Sequence, residues 1–322
     1  MTQNAYLHLE NDTLRVDVER EKKLQVPLHH LGSVVCFGNI MLSPALMHRC
    51  ADEGISLVLL DQNGRFKARL EGAVSGNILL RQAQHARAAE EKFALEMAQA
   101  MIAGKLRNAR QVLLRGAREA EDAQDGKTLS DAAESLAISV RNLPVAGNLD
   151  VIRGIEGDAA KVYFGALSSL VRKNAREHFT MDGRTRRPPR DRFNALISFL
   201  YSMVMNDCRS ALESVGLDPQ LGFLHAVRPG RAALALDLME EFRAILADRL
   251  ALTLINRGQI SAKDFAEREG GAVLLEGDAR RIVVVAYQER KQEEVMPPAG
   301  NQGANWPAAL IASTFHGAYS AR

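Results

Sequence analysis

Two carboxylate segments and one histidine carry the chemistry most readily read from this chain. Gly154-Ile155-Glu156-Gly157-Asp158 lies in a stretch of helical composition, and Asp237-Leu238-Met239-Glu240 lies in another. His225 falls in a Gly- and Pro-flanked turn that leads into the second. Carboxylates with one imidazole suit Mg²⁺ or Mn²⁺, with water left in the coordination sphere. A site of that kind works on phosphate esters. If these segments converge in space, the chain is a metal-dependent enzyme acting on nucleic acid.

Each member has an ordinary reading when taken singly. Glu156 near a helix start is equally a solvated carboxylate favoured by the macrodipole. Its neighbours Gly154 and Gly157 each cost a helix about 1 kcal/mol relative to Ala, which asks for a packing or site reason. Asp237, Glu240 and Glu241 share one helix face and, alone, would read as an acidic solvent face. The preceding run Ala232-Ala233-Leu234-Ala235-Leu236 is wholly apolar, so that end is expected to be buried. Buried carboxylates need partners. A lone loop histidine is more often structural than a ligand; its position before the carboxylate helix is the argument for a ligand.

Residues 172–192 hold eight basic side chains against three acidic ones. Gly183 and Pro188-Pro189 make the second half a loop. Arg184, Arg186, Arg187 and Arg190 are candidate phosphate contacts, because a guanidinium pairs with phosphate bidentately. The competing reading is a solvated surface loop.

The elements that must position these residues change character along the chain. The first seventy or so residues alternate as strands: Tyr6–Leu9, Leu14–Val18, Lys23–Leu28 and Ser33–Gly38, with Asn11-Asp12 as a turn. Ser43-Pro44 opens a short helix that ends near Gly54. Ile55–Leu60 is an apolar strand, and Asn63-Gly64 turns it into a return strand at Arg65–Arg69. From about Ile78 the period becomes 3.6. Helices are expected at 78–115, 129–142, 149–171, 191–214 and 232–256. The fold class is therefore α+β: an N-terminal β-domain over residues 1–75 and a helical catalytic domain over 76–295.

Composition excludes several classes. An apolar fraction of 47% argues against disorder, and 322 residues suffice for about two domains. The net charge of +2 leaves nucleic-acid affinity to local patches. Cys36, Cys50 and Cys208 have no metal-ligand spacing, so reduced thiols in a cytoplasmic protein are expected. No secretory leader or membrane span is evident.

Together these segments resemble the CRISPR-associated integrase family, the first of the numbered Cas proteins and the core enzyme of spacer acquisition. The resemblance runs from about Asn4 to Val295. It rests on Gly154–Ala160, Asn194–Tyr201, Gly222-Phe223-Leu224-His225 and Leu236–Arg243, and its flavour is that of type I-C. It implies a homodimer, DNA as substrate, and assembly of two dimers with a dimer of a small second Cas protein into a hetero-hexamer. Glu156, His225 and Glu240 match the family's divalent-metal ligands, and Asp237 matches an acidic catalytic neighbour. Asn194 and Tyr201 match positions near the site that contact DNA. The implied reaction is transesterification, a DNA 3′-hydroxyl attacking a phosphodiester of the CRISPR repeat.

The tail departs from that pattern. After Val295 the family leads to Pro-Leu-Leu-Gly-Thr-Lys-Val-Pro-Ile-Gly-Leu, whereas this chain has Pro297-Pro298-Ala299-Gly300-Asn301-Gln302. A permitted codon choice for the observed stretch spells the family stretch when read from its second base. Residues 296–322 are thus expected to be a frameshifted C-terminus. Two other readings compete for the function: a stand-alone metal-dependent nuclease on branched DNA, and a non-catalytic DNA-binding scaffold.

Overall fold

The computed structural model describes residues 4–61, 66–70, 72 and 78–292. The chain divides into two compact units, residues 1–76 and 77–322.

The first unit is built on strands. β1 (Ala5–Glu10) and β2 (Thr13–Val18) form a hairpin in register Tyr6↔Asp17 to Glu10↔Thr13. Asn11 and Asp12 turn it with φ of 47° and 56°, a left-handed conformation that Asn and Asp tolerate. β3 (Glu21–Pro27) extends the sheet beyond β2. β4 (Ser33–Phe37) and β5 (Ile40–Leu42) follow, and β5 pairs parallel with β1, giving the order β3-β2-β1-β5. α1 (Pro44–Asp52) starts where Ser43 accepts the Leu46 N–H. β6 (Ser56–Leu60) then pairs parallel with β4 and antiparallel with β7 (Phe66–Leu70) in a second sheet. One core joins both sheets to α1 through Leu7, Leu14, Cys36, Leu46, Cys50 and Leu57. The turn expected at Asn63-Gly64 lies outside the described residues.

The second unit is mostly helical. α2 (Ile78–Ala88) and α3 (Glu91–Glu119) replace the single helix expected over 78–115. Ala89 and Glu90 break it, Glu90 leaving the helical region with ψ 107°. α4 (Ala123–Asn142) starts six residues earlier than expected, because Asp122 caps the N–H groups of Gln124 and Asp125. α5 (Leu149–Ala166) is capped by Asn148 and gives way to a 3₁₀ turn at Leu167–Leu170. The arginine-rich segment contains a short helix, α6 (Lys173–Phe179), before its loop. α7 (Arg192–Ser214) is capped by Asp191, which accepts the Asn194 N–H at 2.7 Å.

α8 (Ala233–Phe242) and α9 (Arg249–Asn256) would be one helix by periodicity. Instead the six residues Arg243–Asp248 take π geometry between them. Such insertions re-aim side chains and recur at functional sites. β8 (Phe265–Arg268), β9 (Ala272–Leu275) and α10 (Ala279–Gln292) complete the described unit and had no counterpart in the sequence reading. The β8–β9 hairpin is short and turns through Gly270 and Gly271, with φ of 85° and 73°. α3 forms the spine of the unit, packed against α4, α5 and α8 through buried Met101, Ile102, Leu106 and Leu113. The tail at 296–322 lies outside the described residues.

Candidate functional site

Glu156 comes from α5, Glu240 from α8, and His225 from the loop before α8. All three line an open recess of about 230 Å³, with Arg153, Leu224 and Arg231 on its walls. Three distant segments therefore meet at one place.

The loop is held by Asp237. This residue is completely buried in the first turns of α8. Its Oδ2 accepts the N–H groups of Phe223 and Leu224 at 2.6 and 3.0 Å. Its Oδ1 accepts the His225 N–H at 2.9 Å and lies 2.6 Å from His225 Nδ1. A carboxylate can only accept, so Nδ1 carries a proton, and in the neutral imidazole Nε2 is the nitrogen with the lone pair. Asp237 is thus a support beneath the histidine and is not among the residues that line the recess. Arg153 adds a second tie, donating to the Leu224 carbonyl from Nε and Nη2 at 3.0 and 2.7 Å. Gly222 must be glycine: an added Cβ would stand 2.7 Å from both the Ala233 carbonyl carbon and Asp237 Oδ2.

The glutamates are framed by cations. Lys105, from α3, contacts Glu156 Oε1 and stands 2.7 Å from Glu240 Oε2. Arg243 in the π segment lies 3.0 Å from Glu240 Oε1. Burial alone would raise the Glu240 carboxyl, but Arg243 and Lys105 outweigh it and bring the group down to about 2. The neighbouring Glu241 lacks such compensation, and burial pushes it up to about 7.

Beneath Arg243 lies a buried hydrogen-bonded cluster. Tyr163 and Tyr201 donate to the two oxygens of Asp248 at 2.9 and 2.8 Å. Asp248 is pushed up to about 6 by its burial, against the opposing effect of those two hydroxyls. The Arg243 guanidinium stacks 5.0 Å from the Tyr201 ring.

The donor set fits a hard divalent cation: two carboxylates and one imidazole nitrogen. Glu240 Oε2 is buried without an aligned hydrogen-bond donor, although the Lys105 ammonium is close by. That ammonium stands between the carboxylates. Among the described residues, no three His, Cys, Asp or Glu side chains are drawn tightly enough together to hold an ion as they stand. Gly154 and Gly157 have open space where a Cβ would lie, so no packing demand explains them and the α5 face beside Glu156 is left clear.

The arginine-rich loop divides into two kinds of residue. Arg186 and Arg187 are exposed. Arg190 is exposed and donates to the Gly270 carbonyl at 2.7 Å, tying the loop to the β8–β9 hairpin. Arg184 is turned inward: it donates to Asn194 Oδ1 and Ser198 Oγ at 2.7 and 3.0 Å and stacks 5.2 Å from Tyr201. Three of the residues expected to contact DNA are engaged within the protein. Asn194 is completely buried, with its amide donating to Gly183 O and Asp191 Oδ2. The Tyr201 hydroxyl donates to Asp248, and Arg184 donates to Asn194 and Ser198 of α7.

The sequence reading missed Lys105, Arg153, Arg243 and Asp248. Gly104, one of two glycines in α3, was the one local signal near Lys105; an added Cβ there would lie 2.8 Å from the Glu241 carboxyl.

A β-rich unit and a helical unit carrying a carboxylate–imidazole recess define the class of protein. The family model for CRISPR associated protein Cas1 matches residues 1–289. The chain is 54% identical over 302 residues to a CRISPR-associated endonuclease Cas1 of Moorella thermoacetica, covering 94% of this chain and 88% of that one. It is 48% identical over 314 residues to one from Rhodospirillum rubrum, covering 96% and 90%. This chain belongs to the Cas1 family. Its fold matches a Cas1 protein from Thermotoga maritima with a TM-score of 0.76 at 24% identity, over 90% of this chain and 88% of that one. A casposase bound to an integration product shares the fold with a TM-score of 0.78 at 21% identity, over 96% and 85%. Among the described residues no helix is long and apolar enough to cross a membrane.

Proposed function

We propose that this chain is a metal-dependent DNA endonuclease and integrase that joins spacer DNA to a CRISPR array by transesterification. The observation that carries the reading is the meeting of Glu156, His225 and Glu240 on one recess. Family membership supports it, since curated relatives are named CRISPR-associated endonucleases.

Glu156, Glu240 and His225 Nε2 would hold Mg²⁺ or Mn²⁺. When bound, such an ion polarises a phosphoryl oxygen and offsets charge developing in the transition state. The chain's own residues do the rest. Asp237 keeps the His225 proton on Nδ1 and aims Nε2 outward. Arg243 keeps Glu240 ionised and oriented. The glycine face of α5 admits a backbone phosphate close to Glu156. Arg186, Arg187 and Arg190 would steer and hold the DNA.

The partners proposed are DNA, a second copy of the chain, and a small second Cas protein in a hetero-hexamer. A chain of a solved partial Cas6-RT-Cas1–Cas2 complex shares the fold, with a TM-score of 0.62 at 28% identity over 90% of this chain and 86% of that one. The tail at 296–322 is proposed to be frameshifted, which sequencing the gene tests.

The deciding experiment is integration of a labelled spacer into repeat DNA with the small partner present. Wild type with Mg²⁺ or Mn²⁺ is expected to join strands, and Glu240→Ala to lose joining while keeping its circular dichroism spectrum. Wild-type activity in Glu240→Ala would sink the assignment. Metal-dependent cleavage without integration would favour the stand-alone nuclease.

A further inference from the structure

Lys105 stands between the two glutamates of the recess, and the proposed chemistry does not use it. Its ammonium reaches Glu156 Oε1 on one side and lies 2.7 Å from Glu240 Oε2 on the other. Its side chain is only 11% exposed. Met101, Ile102 and Leu106 fix the surrounding turns of α3 in the core, so the ammonium is delivered to this spot by a rigid helix.

Two carboxylates turned toward one partly buried recess repel each other. Arg243 answers only the far oxygen of Glu240, Oε1. Among the described residues, Lys105 alone forms ion pairs with both glutamates. That place between the carboxylates is also where a divalent cation bound by both would lie. A lysine ammonium is a compact charge on a flexible four-carbon stem, so it can withdraw while α3 stays in place.

We propose that Lys105 is a built-in counterion: it holds Glu156 and Glu240 together in the metal-free protein and must leave the space between them when a divalent cation binds. Lys105 thereby sets the threshold of metal binding. The inference rests on the metal site proposed above. It has a definite direction. Removing the lysine charge leaves both carboxylates to a divalent cation without competition, so affinity rises, while the metal-free fold loses stability.

The test is Mn²⁺ binding to the full-length protein, without DNA, followed by the electron paramagnetic resonance of free Mn²⁺. Wild type, Lys105→Met, Lys105→Arg and Glu240→Gln are compared at one pH. Lys105→Met is expected to bind about ten-fold more tightly than wild type, the scale of one partly buried ion pair. Lys105→Arg, which keeps the charge, is expected to stay near wild type. The rise in melting temperature on adding saturating Mn²⁺ is expected to be larger in Lys105→Met, because binding to the folded state alone stabilises by mass action. If metal-free Lys105→Met does not fold, Lys105→Gln serves as the uncharged variant, with the same expectation. Equal or weaker binding in the uncharged variant, with Glu240→Gln clearly impaired, overturns the role of Lys105 and leaves the metal site standing. Mn²⁺ binding that is absent from wild type and Lys105→Met, or unaffected in Glu240→Gln, overturns the metal site and the inference with it.

Discussion

His225 Nδ1 lies 2.6 Å from Asp237 Oδ1, and the same carboxylate accepts the backbone N–H groups of residues 223, 224 and 225. One buried side chain therefore shapes the loop and aims the imidazole. Asp237→Ala would strand those donors in the core. Each unsatisfied buried donor costs about 1–3 kcal/mol, so a loss on the order of 4 kcal/mol is expected in urea denaturation. Stability unchanged from wild type would show that the carboxylate does not organise the loop.

Gly222→Ala tests the same loop from its other end. The new methyl would press on the Ala233 backbone and on Asp237 Oδ2, neither of which can move away cheaply. Strand joining is expected to fall by at least about ten-fold, through displacement of His225. A kinetic comparison with wild type at saturating metal measures it. Full activity would mean the loop relaxes without moving the histidine.

Glu241 carries a stability penalty that depends on pH. Burial raises its folded-state carboxyl to about 7, above the ordinary 4.5. A raised carboxyl favours folding below the unfolded value and loses that advantage as pH climbs through the folded one. Glu241→Gln is therefore expected to match wild type near pH 4 and to exceed it at pH 8, by on the order of 2 kcal/mol. Thermal melts at the two pH values check this; an equal offset at both would contradict it.

Glu240 has the opposite sign. Its folded-state value is near 2, below the ordinary 4.5, so its stabilising contribution is present above about pH 4.5 and lost as pH falls toward 2. Glu240→Gln leaves Lys105 and Arg243 with one neutral partner between them. It is expected to lower the melting temperature at pH 7, and the gap from wild type should narrow on acidification. A gap that widens toward pH 3 would refute this account of the charges.

The arginines of the loop should separate cleanly. Arg186→Ala and Arg187→Ala remove exposed charges and are expected to change stability by less than about 0.5 kcal/mol. Each should weaken DNA binding and lower the salt dependence by about one phosphate contact. Arg184→Ala removes two hydrogen bonds and a stacked guanidinium, so it should lower the melting temperature before any DNA is added. Filter binding over a salt series, beside melts of the free proteins, distinguishes the two groups. Identical behaviour of Arg184 and Arg186 would refute the division.

Much of this protein is written locally in its sequence. Alternation over residues 6–18, the Ser43-Pro44 cap and the change of period near residue 78 specify strands, a helix start and the α+β class. Each depends only on residues a few positions apart. The kinds of residue at the candidate site were legible for the same reason, since Glu156, His225 and Glu240 stand in distinctive short contexts. What only the tertiary structure decided is where those side chains point and what surrounds them. Periodicity put Asp237 and Glu240 on one face, yet packing turned Asp237 under the histidine loop and Glu240 toward the recess. The π segment re-aimed Arg243 and Asp248 in a helix that the pattern read as continuous. Asn194, Tyr201 and Arg184 were drawn inward by hydrogen-bond partners at Asp191, Asp248 and Ser198. Lys105 reached the glutamates from a helix whose own sequence marks the place only by the adjacent Gly104. Contacts of that kind are fixed by burial and charge compensation among segments far apart in the chain, and no local pattern encodes them.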